Sequence, residues 1–331
     1  MQPYTYIRPS SPDSVFDQTS RAGARILAGG TTLYDLMKLG IETPARVVDI
    51  TGMIGLDEIR VDGDELVLGA SVTMSDAAAH PIVMQRAPVL AESLSKAASR
   101  QLRNMATLGG NLLQRTRCAY FRNGPEYPCN KRTPGAGCAA MEGLDHGHAL
   151  LGGSSSCVAV YPGDWAVALV ALEGQLDVSS PGGTRSVPAG DLHRLPGDTP
   201  HVETVLAADE MITHIRVPLG RLSAGSTYHK IRDRESFAFA LVSAAVALEL
   251  NGGVVRRARI ALGGVATRPW RALDAERSLI GQRFDRAAAE RAGQIAFSGA
   301  RPGRHNGFKI ELGAEAVADA LMIAVQRSHS L

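Results

Sequence analysis

Aromatic residues supply only 5% of this 331-residue chain, a poor stock for a surface that binds by ring stacking. Charge of one sign is missing too: 35 Lys and Arg stand against 33 Asp and Glu, a net +2 with the basic residues scattered, so the electrostatic footprint of a nucleic-acid binder is absent. The longest apolar stretch, residues 237–250, is shorter than a bilayer span and is broken by Ser243 and Glu249, which excludes it as a membrane helix. The N-terminal MQPYTYIRPSSPDS lacks the basic start, apolar middle and small-residue cleavage site of a secretory signal, giving the expectation of a chain that is cytoplasmic by its own sequence. Neither G-x-G-x-x-G nor G-x-S-x-G occurs, and the nine histidines are dispersed. A conventional Rossmann site and an acid–base constellation are therefore disfavoured, and no catalytic residue is assigned. What is plentiful is glycine, 35 residues, a profile of turns and close backbone approaches that suits a protein holding a large cofactor against its main chain. Hydrophobic residues at 45% and charged residues at 21% give ordinary globular usage, and at roughly 150 residues per domain the length suggests about two domains.

The first fifty residues alternate short signals: a strand at TYI, a helix over 15–22, a strand at Arg25-Ile26-Leu27, a helix over 31–39 capped by Thr31 or Thr32 and stopped by Gly40, and a strand over 47–50. A second α/β stretch follows, with a strand at 66–68 and helices over 75–80 and 89–98. Residues 111–156 then show no sustained period, which is uncommon unless something other than secondary structure organises the segment. Regular signals resume with a strand over 157–160, an apolar helix over 164–172 with Asp164 as a plausible N-cap, and strands near 176 and over 211–217. Beyond a Pro/Gly/Ser-containing link at 218–225, long β segments over 237–250 and 254–265 flank Asn251-Gly252-Gly253, a hairpin signal. Helices over 272–279, 287–296 and 314–328 close the chain.

All four cysteines fall between positions 118 and 157, separated by ten, eight and eighteen residues. This is not the C-x-x-C pairing of a zinc ribbon. Four thiolates can ligate a [4Fe–4S] cluster, which tolerates irregular loop spacing, and Arg115, Arg117, Arg122, Lys131 and Arg132 would offset its charge. Two disulfides, a structural zinc and four unrelated thiols remain as alternatives on spacing alone. Two glycine pairs stand out as well, LAGGTTL at 27–33 and ATLGGNLL at 106–113. Each offers backbone N–H groups to an anion near a helix start, although a lone pair is more often just a tight turn. Asp164 could bond a ribose or ribityl hydroxyl, and Lys230 could sit near a phosphate or flavin ring. Their bland roles are an N-cap and a solvated strand lysine.

These residues, together with PGDWAVALVAL at 162–172, MITHIRVP at 211–218 and YHKIRDRESFAFALVSAAVAL at 228–248, resemble in order the FAD-binding (medium) subunit of the molybdenum hydroxylase family, which includes xanthine dehydrogenase and carbon monoxide dehydrogenase. The segment NLLQRTRCAYFRNGPEYPCNKRTPGAGCAA looks like the insertion in the flavin subunit of bacterial periplasmic-type aldehyde oxidoreductases. The resemblance implies an α+β chain: a two-subdomain FAD-binding fold of the vanillyl-alcohol-oxidase (PCMH) type, then a C-terminal α+β domain with an antiparallel sheet and helices. The expected divisions are 1–55, 56–220 with an insertion loop over about 112–157, and 226–331. It implies FAD contacts at Arg25, Ile26, Leu27, Ala28, Gly29, Gly30, Thr31, Thr32, Thr107, Gly109, Gly110, Asn111, Asp164, Ile212 and Lys230, and [4Fe–4S] ligands at Cys118, Cys129, Cys138 and Cys157.

It also implies two partners, a large subunit carrying the molybdopterin cofactor and a small subunit carrying two [2Fe–2S] clusters. Electrons would pass from those clusters to FAD here and on to an external acceptor, and a twin-arginine signal on the small partner could carry the complex to the periplasm. A hydroxybenzoyl-CoA-reductase-type flavin subunit, a free-standing flavin reductase of the cell-wall-precursor type and a zinc-stapled non-redox binding module are the rival readings.

Overall fold

A computed structural model describes residues 1–328; residues 329–331, the last of the expected C-terminal domain, lie outside the described residues. Twelve strands among them form three sheets. The first is parallel, with β1 (Thr5–Ile7), β2 (Ala24–Leu27) and β3 (Arg46–Asp49) in the order β1-β3-β2. The helix Pro12–Thr19 packs on it, and Val15, Phe16, Val48 and Ile50 form a small core of their own. That helix starts earlier than the expected 15–22 because Ser11 accepts a hydrogen bond from the Ser14 backbone N–H at 3.3 Å and Pro12 takes the first helical position.

The second sheet is antiparallel in the order β4-β5-β8-β6-β7, built from β4 (Ile59–Asp62), β5 (Glu65–Gly69), β6 (Gln175–Ser180), β7 (Gly183–Pro188) and β8 (Met211–Pro218). The third comprises β9 (Ser226–Ile231), β10 (Val242–Asn251), β11 (Val254–Gly263) and β12 (Trp270–Arg271), ordered β12-β11-β10-β9. Asn251 pairs with Val254, so Gly252 and Gly253, at φ 58° and 79°, form the two-residue turn that needs left-handed backbone at both positions.

Both faces of the third sheet are buried, and the pleat divides them. Ala244, Val246, Leu248, Ile260 and Leu262 face the helices Arg286–Ala296 and Phe308–Ser328. Tyr228, Ala245, Ala247 and Ala261 point the other way, into the core of the second sheet. There they join the helix Trp165–Ala171, in which every residue is buried; a helix apolar all round has no solvent face to offer.

Three expected elements differ. Residues 157–160 form no strand, only an isolated Ser154–Cys157 bridge. Cys157 and Ala159 are buried and the two valines half-buried because the segment threads between elements: the Val158 carbonyl accepts from Ala149 N–H and the Val160 carbonyl from the Thr116 hydroxyl. The strand expected over 237–250 begins only at Val242, since residues 237–241 leave the sheet to line a cavity and Phe237 adopts φ 53°. Asp164 precedes the helix Trp165–Ala171 without a side-chain capping bond, and Thr32 likewise makes none before Leu33–Lys38.

Candidate functional site

The strand-to-helix turn after β2 and the turn before the helix Leu108–Leu112 lean directly on each other. A Cβ on Gly29 would come within 1.7 Å of the Met105 carbonyl oxygen, and one on Gly109 within 2.9 Å of the Ala70 side chain. Glycine is thus required there by chain crossing, and the crossing joins the first sheet to the second. Gly30, at φ 72°, turns the chain toward Thr31 and Thr32. Both threonines line a cavity of about 1010 Å³, at the top of the roughly 300–1,000 Å³ range usual for ligand sites.

Asn111 and Asp164 also line it, as does the 233–241 segment. Thr107 holds the second turn by accepting from Gly110 N–H at 3.2 Å. Asn111 Nδ2 contacts Met74 Sδ at 3.4 Å, while its buried Oδ1 has no partner within the protein. Buried polar atoms are rarely left so, and this one belongs to a wall of the cavity.

Asp164 is a buried carboxylate on the wall of this cavity. Its Oδ2 accepts from Lys230 Nζ at 2.8 Å, and its Oδ1 accepts from the Tyr228 hydroxyl. Both charged side chains are almost wholly buried, 5% and 1% exposed. Burial pushes the Asp164 carboxyl upward, opposed chiefly by the Lys230 ammonium and then the Tyr228 hydroxyl. Lys230 Nζ donates further to the Lys96 carbonyl at 3.0 Å. The lysine on β9 is therefore not solvated; it fixes the acidic group that faces the cavity.

The remaining expected contacts divide. Ile26 and Ala28 are partly buried against the first core, and the Arg25 side chain is exposed and pairs with Glu42 at 3.3 Å. Leu27, Gly29, Gly30 and Thr31 border a second groove of about 390 Å³ with Tyr4, Tyr6, Tyr34 and Met105, so Thr31 belongs to both spaces. The Ile212 side chain does not reach the large cavity: β8 is a central strand, and Ile212 packs into the core of its sheet.

The four cysteines converge. Cys118, Cys129, Cys138 and Cys157 all line one small cavity among Phe121, Pro128, Ala140 and Ala159, and none is in a disulfide. Cys129 and Cys138 face each other across an isolated bridge. Cys118 lines the large cavity as well. Burial pushes its thiol up to about 11 and raises that of Cys157, which favours the protonated thiol at both. Among the described residues, no three or more His, Cys, Asp or Glu side chains are gathered closely enough to hold a single metal ion.

The loop is braced on the first subdomain. Phe121 is fully buried against Leu36, with the Arg115 guanidinium over its ring at 4.7 Å. Arg115 bridges Glu42 at 2.7 Å and Glu203 at 2.6 Å, and both Arg117 and Arg122 pair with Asp35.

Sequence reasoning missed several lining groups. Gln114 lies in the aperiodic 111–156 segment, where no periodicity marks a direction, and Arg117 and Arg122, expected only as charge for a cluster, line the large cavity as well. His146, His148 and Lys309 come from segments that no motif singled out; burial lowers Lys309 to about 8. Phe237 and Phe239 do lie within the recognised 228–248 motif, and their aromatic rings in a chain poor in aromatics were a usable signal.

A flavin dinucleotide fits these residues. The cavity is large and takes in Thr31, Thr32 and Asn111 beside the two glycine turns, its acidic and amide groups are preset, and Asn111 Oδ1 has no partner among the described residues. Comparison with known proteins agrees. Residues 2–220 match the model for the FAD binding domain in molybdopterin dehydrogenase, and residues 226–323 match that for the CO dehydrogenase flavoprotein C-terminal domain. The chain is 44% identical over 326 residues to the aldehyde oxidoreductase FAD-binding subunit PaoB of Escherichia coli (strain K12), covering 97% of this chain and 98% of the relative. The crystal structure of quinoline 2-oxidoreductase from Pseudomonas putida 86 contains a similar chain, with TM-score 0.77 and 26% identity over 99% of this chain and 98% of that one. Carbon monoxide dehydrogenase from Hydrogenophaga pseudoflava gives TM-score 0.77 and 28% identity over 99% of each chain.

Proposed function

Because this chain belongs to the FAD-binding medium-subunit family of the molybdenum hydroxylases, we propose that it is the FAD- and [4Fe–4S]-holding electron-transfer subunit of an aldehyde oxidoreductase. Its partners are a large molybdopterin subunit and a small subunit with two [2Fe–2S] clusters, and it hands electrons to an external acceptor. The observation that carries the cluster is the convergence of four unpaired cysteines on one cavity that shares Cys118 with the flavin-sized cavity. All four sulfurs border this one cavity, and four thiolate donors are the set that a four-iron cluster takes. The aldehyde substrate class rests on the full-length similarity to the aldehyde oxidoreductase subunit.

When bound, FAD would take up two electrons delivered one at a time by one-electron carriers, and an iron–sulfur cluster would hold single electrons. The chain's own residues bind and orient. The glycine turns at 29–30 and 109–110 let the two chain segments pack together, and beside them Thr31, Thr32 and Asn111 would offer hydroxyls and an amide to the dinucleotide. Asp164, held by Lys230 and Tyr228, is a fixed acceptor for ribose or ribityl hydroxyls. Arg117 and Arg122 set positive charge between the two cavities.

The test is iron, acid-labile sulfide and flavin per chain on anaerobically purified protein, in the wild type and in Cys129→Ser. The expected result is about four irons, four sulfides and one FAD in the wild type, with iron lost and FAD kept in the variant. Wild-type protein with FAD but no iron would sink the cluster assignment, and zinc in its place would restore the stapled-loop reading.

A further inference from the structure

His148 stands where the two cavities meet. Its ring lines the large cavity together with Cys118, and its Nε2 lies 3.3 Å from Cys118 Sγ, within reach for an N–H···S hydrogen bond. The residue is 7% exposed, and its Nδ1 is buried without a partner. The ring is held from its own backbone: His148 N–H donates to the Asp145 carbonyl at 2.8 Å, and its carbonyl accepts from Asn306 Nδ2 at 3.3 Å. Asp145 is itself fixed by the N–H groups of Arg304 and His305 and by His305 Nδ1. None of this support uses the imidazole nitrogens, so Nε2 is free to serve the sulfur.

Cys157 instead receives a backbone donor, Ala159 N–H at 3.4 Å from its sulfur, so a side-chain donor stands at the cysteine that lines the flavin-sized cavity. Hydrogen bonds to cluster sulfurs stabilise the more negative, reduced state and raise the potential.

We propose that His148 is a positioning residue that would donate Nε2–H to Cys118 Sγ and so set the reduction potential of an iron–sulfur cluster held there, at the cysteine that also lines the flavin-sized cavity. This rests on the cluster assignment above and goes beyond it by naming the side chain, outside the four ligands, that tunes the group. The side chain touching Cys118 is also the one exposed to the flavin cavity, so the tuning acts on the face from which electrons are exchanged.

The experiment is an EPR-monitored redox titration of the purified protein as wild type, His148→Leu and His148→Gln, with iron, sulfide and FAD counted in each. The leucine fills the space without a donor, and the glutamine restores an N–H. The expected result is full iron and FAD throughout, a negative shift in the leucine variant and a potential nearer the wild type in the glutamine variant. The expected shift is about tenfold in the one-electron equilibrium, or about 59 mV. Loss of iron from the leucine variant alone supports the same role, since only the donor separates the two replacements. Equal potentials in all three proteins, equal shifts in both variants, or iron lost from both would overturn the proposal. A wild type without iron would instead remove the cluster assignment beneath it.

Discussion

At the scale of single residues, the strongest constraint is the buried ion pair. Lys230 reaches across from the C-terminal sheet to Asp164 at the start of an apolar helix, and its second bond, to the Lys96 carbonyl, ties in a third segment. Removing one partner of a buried pair leaves the other charge uncompensated, at about 3–5 kcal/mol. Lys230→Met should therefore lower the free energy of unfolding by that amount and reduce FAD per chain, and Lys230→Met with Asp164→Asn should recover part of the stability. A single variant as stable as the wild type would mean that the pair is not desolvated.

His193 makes a pH-dependent contribution. Its Nε2 donates to the Leu112 carbonyl at 2.8 Å, pinning the end of the second glycine helix, and burial depresses it from 6.5 to about 4. Between those values the unfolded chain binds a proton that the folded chain refuses, so stability is complete above pH 6.5 and falls as pH drops toward 4. The loss is about 3 kcal/mol. Denaturant unfolding across that window should show the slope in the wild type and a smaller one in His193→Gln.

At the scale of elements, the two glycine turns work as one joint. The sequence shows each pair as a possible anion site, but the Gly29 position answers first to the Met105 carbonyl, a contact 76 residues along the chain. Gly29→Ala cannot be absorbed by a rotamer change, because the obstructing atom is backbone. It should push the first sheet off the second and lower FAD affinity at least tenfold in a flavin titration, whereas Gly40→Ala, with open space at φ 68°, should cost only local strain. Equal FAD affinity in both variants would show that the crossing does not shape the cavity.

The same elements show what the sequence could disclose. Strands such as β5 and β11, and the helix Trp165–Ala171, were visible because apolar pattern and burial coincide there. The cysteine segment was visible as chemistry and invisible as structure: its order comes from Phe121 against Leu36, Arg115 between two glutamates and Lys131 to the Pro200 carbonyl, all long-range contacts without a period. Phe237 and Phe239 read as strand because exposure to a cavity and burial in a sheet draw on the same residue types.

At the scale of the whole molecule, the flavin cavity depends on a core that no cavity residue reveals. Ala245 sits on the face of β10 that packs with Tyr228, Ala261 and the helix Trp165–Ala171. Small side chains let the helix approach closely; a Cβ on nearby Gly263 would come within 2.7 Å of Val167 Cγ2. The helix begins beside Asp164, and Tyr228 on the neighbouring strand holds that carboxylate. Glu92 adds a second tie between the halves, accepting from the Tyr228 backbone N–H at 2.8 Å and pairing with Arg327 of the last helix. The C-terminal domain is therefore one wall of the flavin site. Ala245→Leu would overfill this seam, at about 1–3 kcal/mol, and the strain can relax only by moving the helix or the strand. Both carry the Asp164 constellation. The expected outcome is a lower unfolding midpoint together with weaker FAD binding, although residue 245 does not line the large cavity. A destabilised variant that binds FAD with unchanged affinity would show that the seam supports the fold without positioning the site.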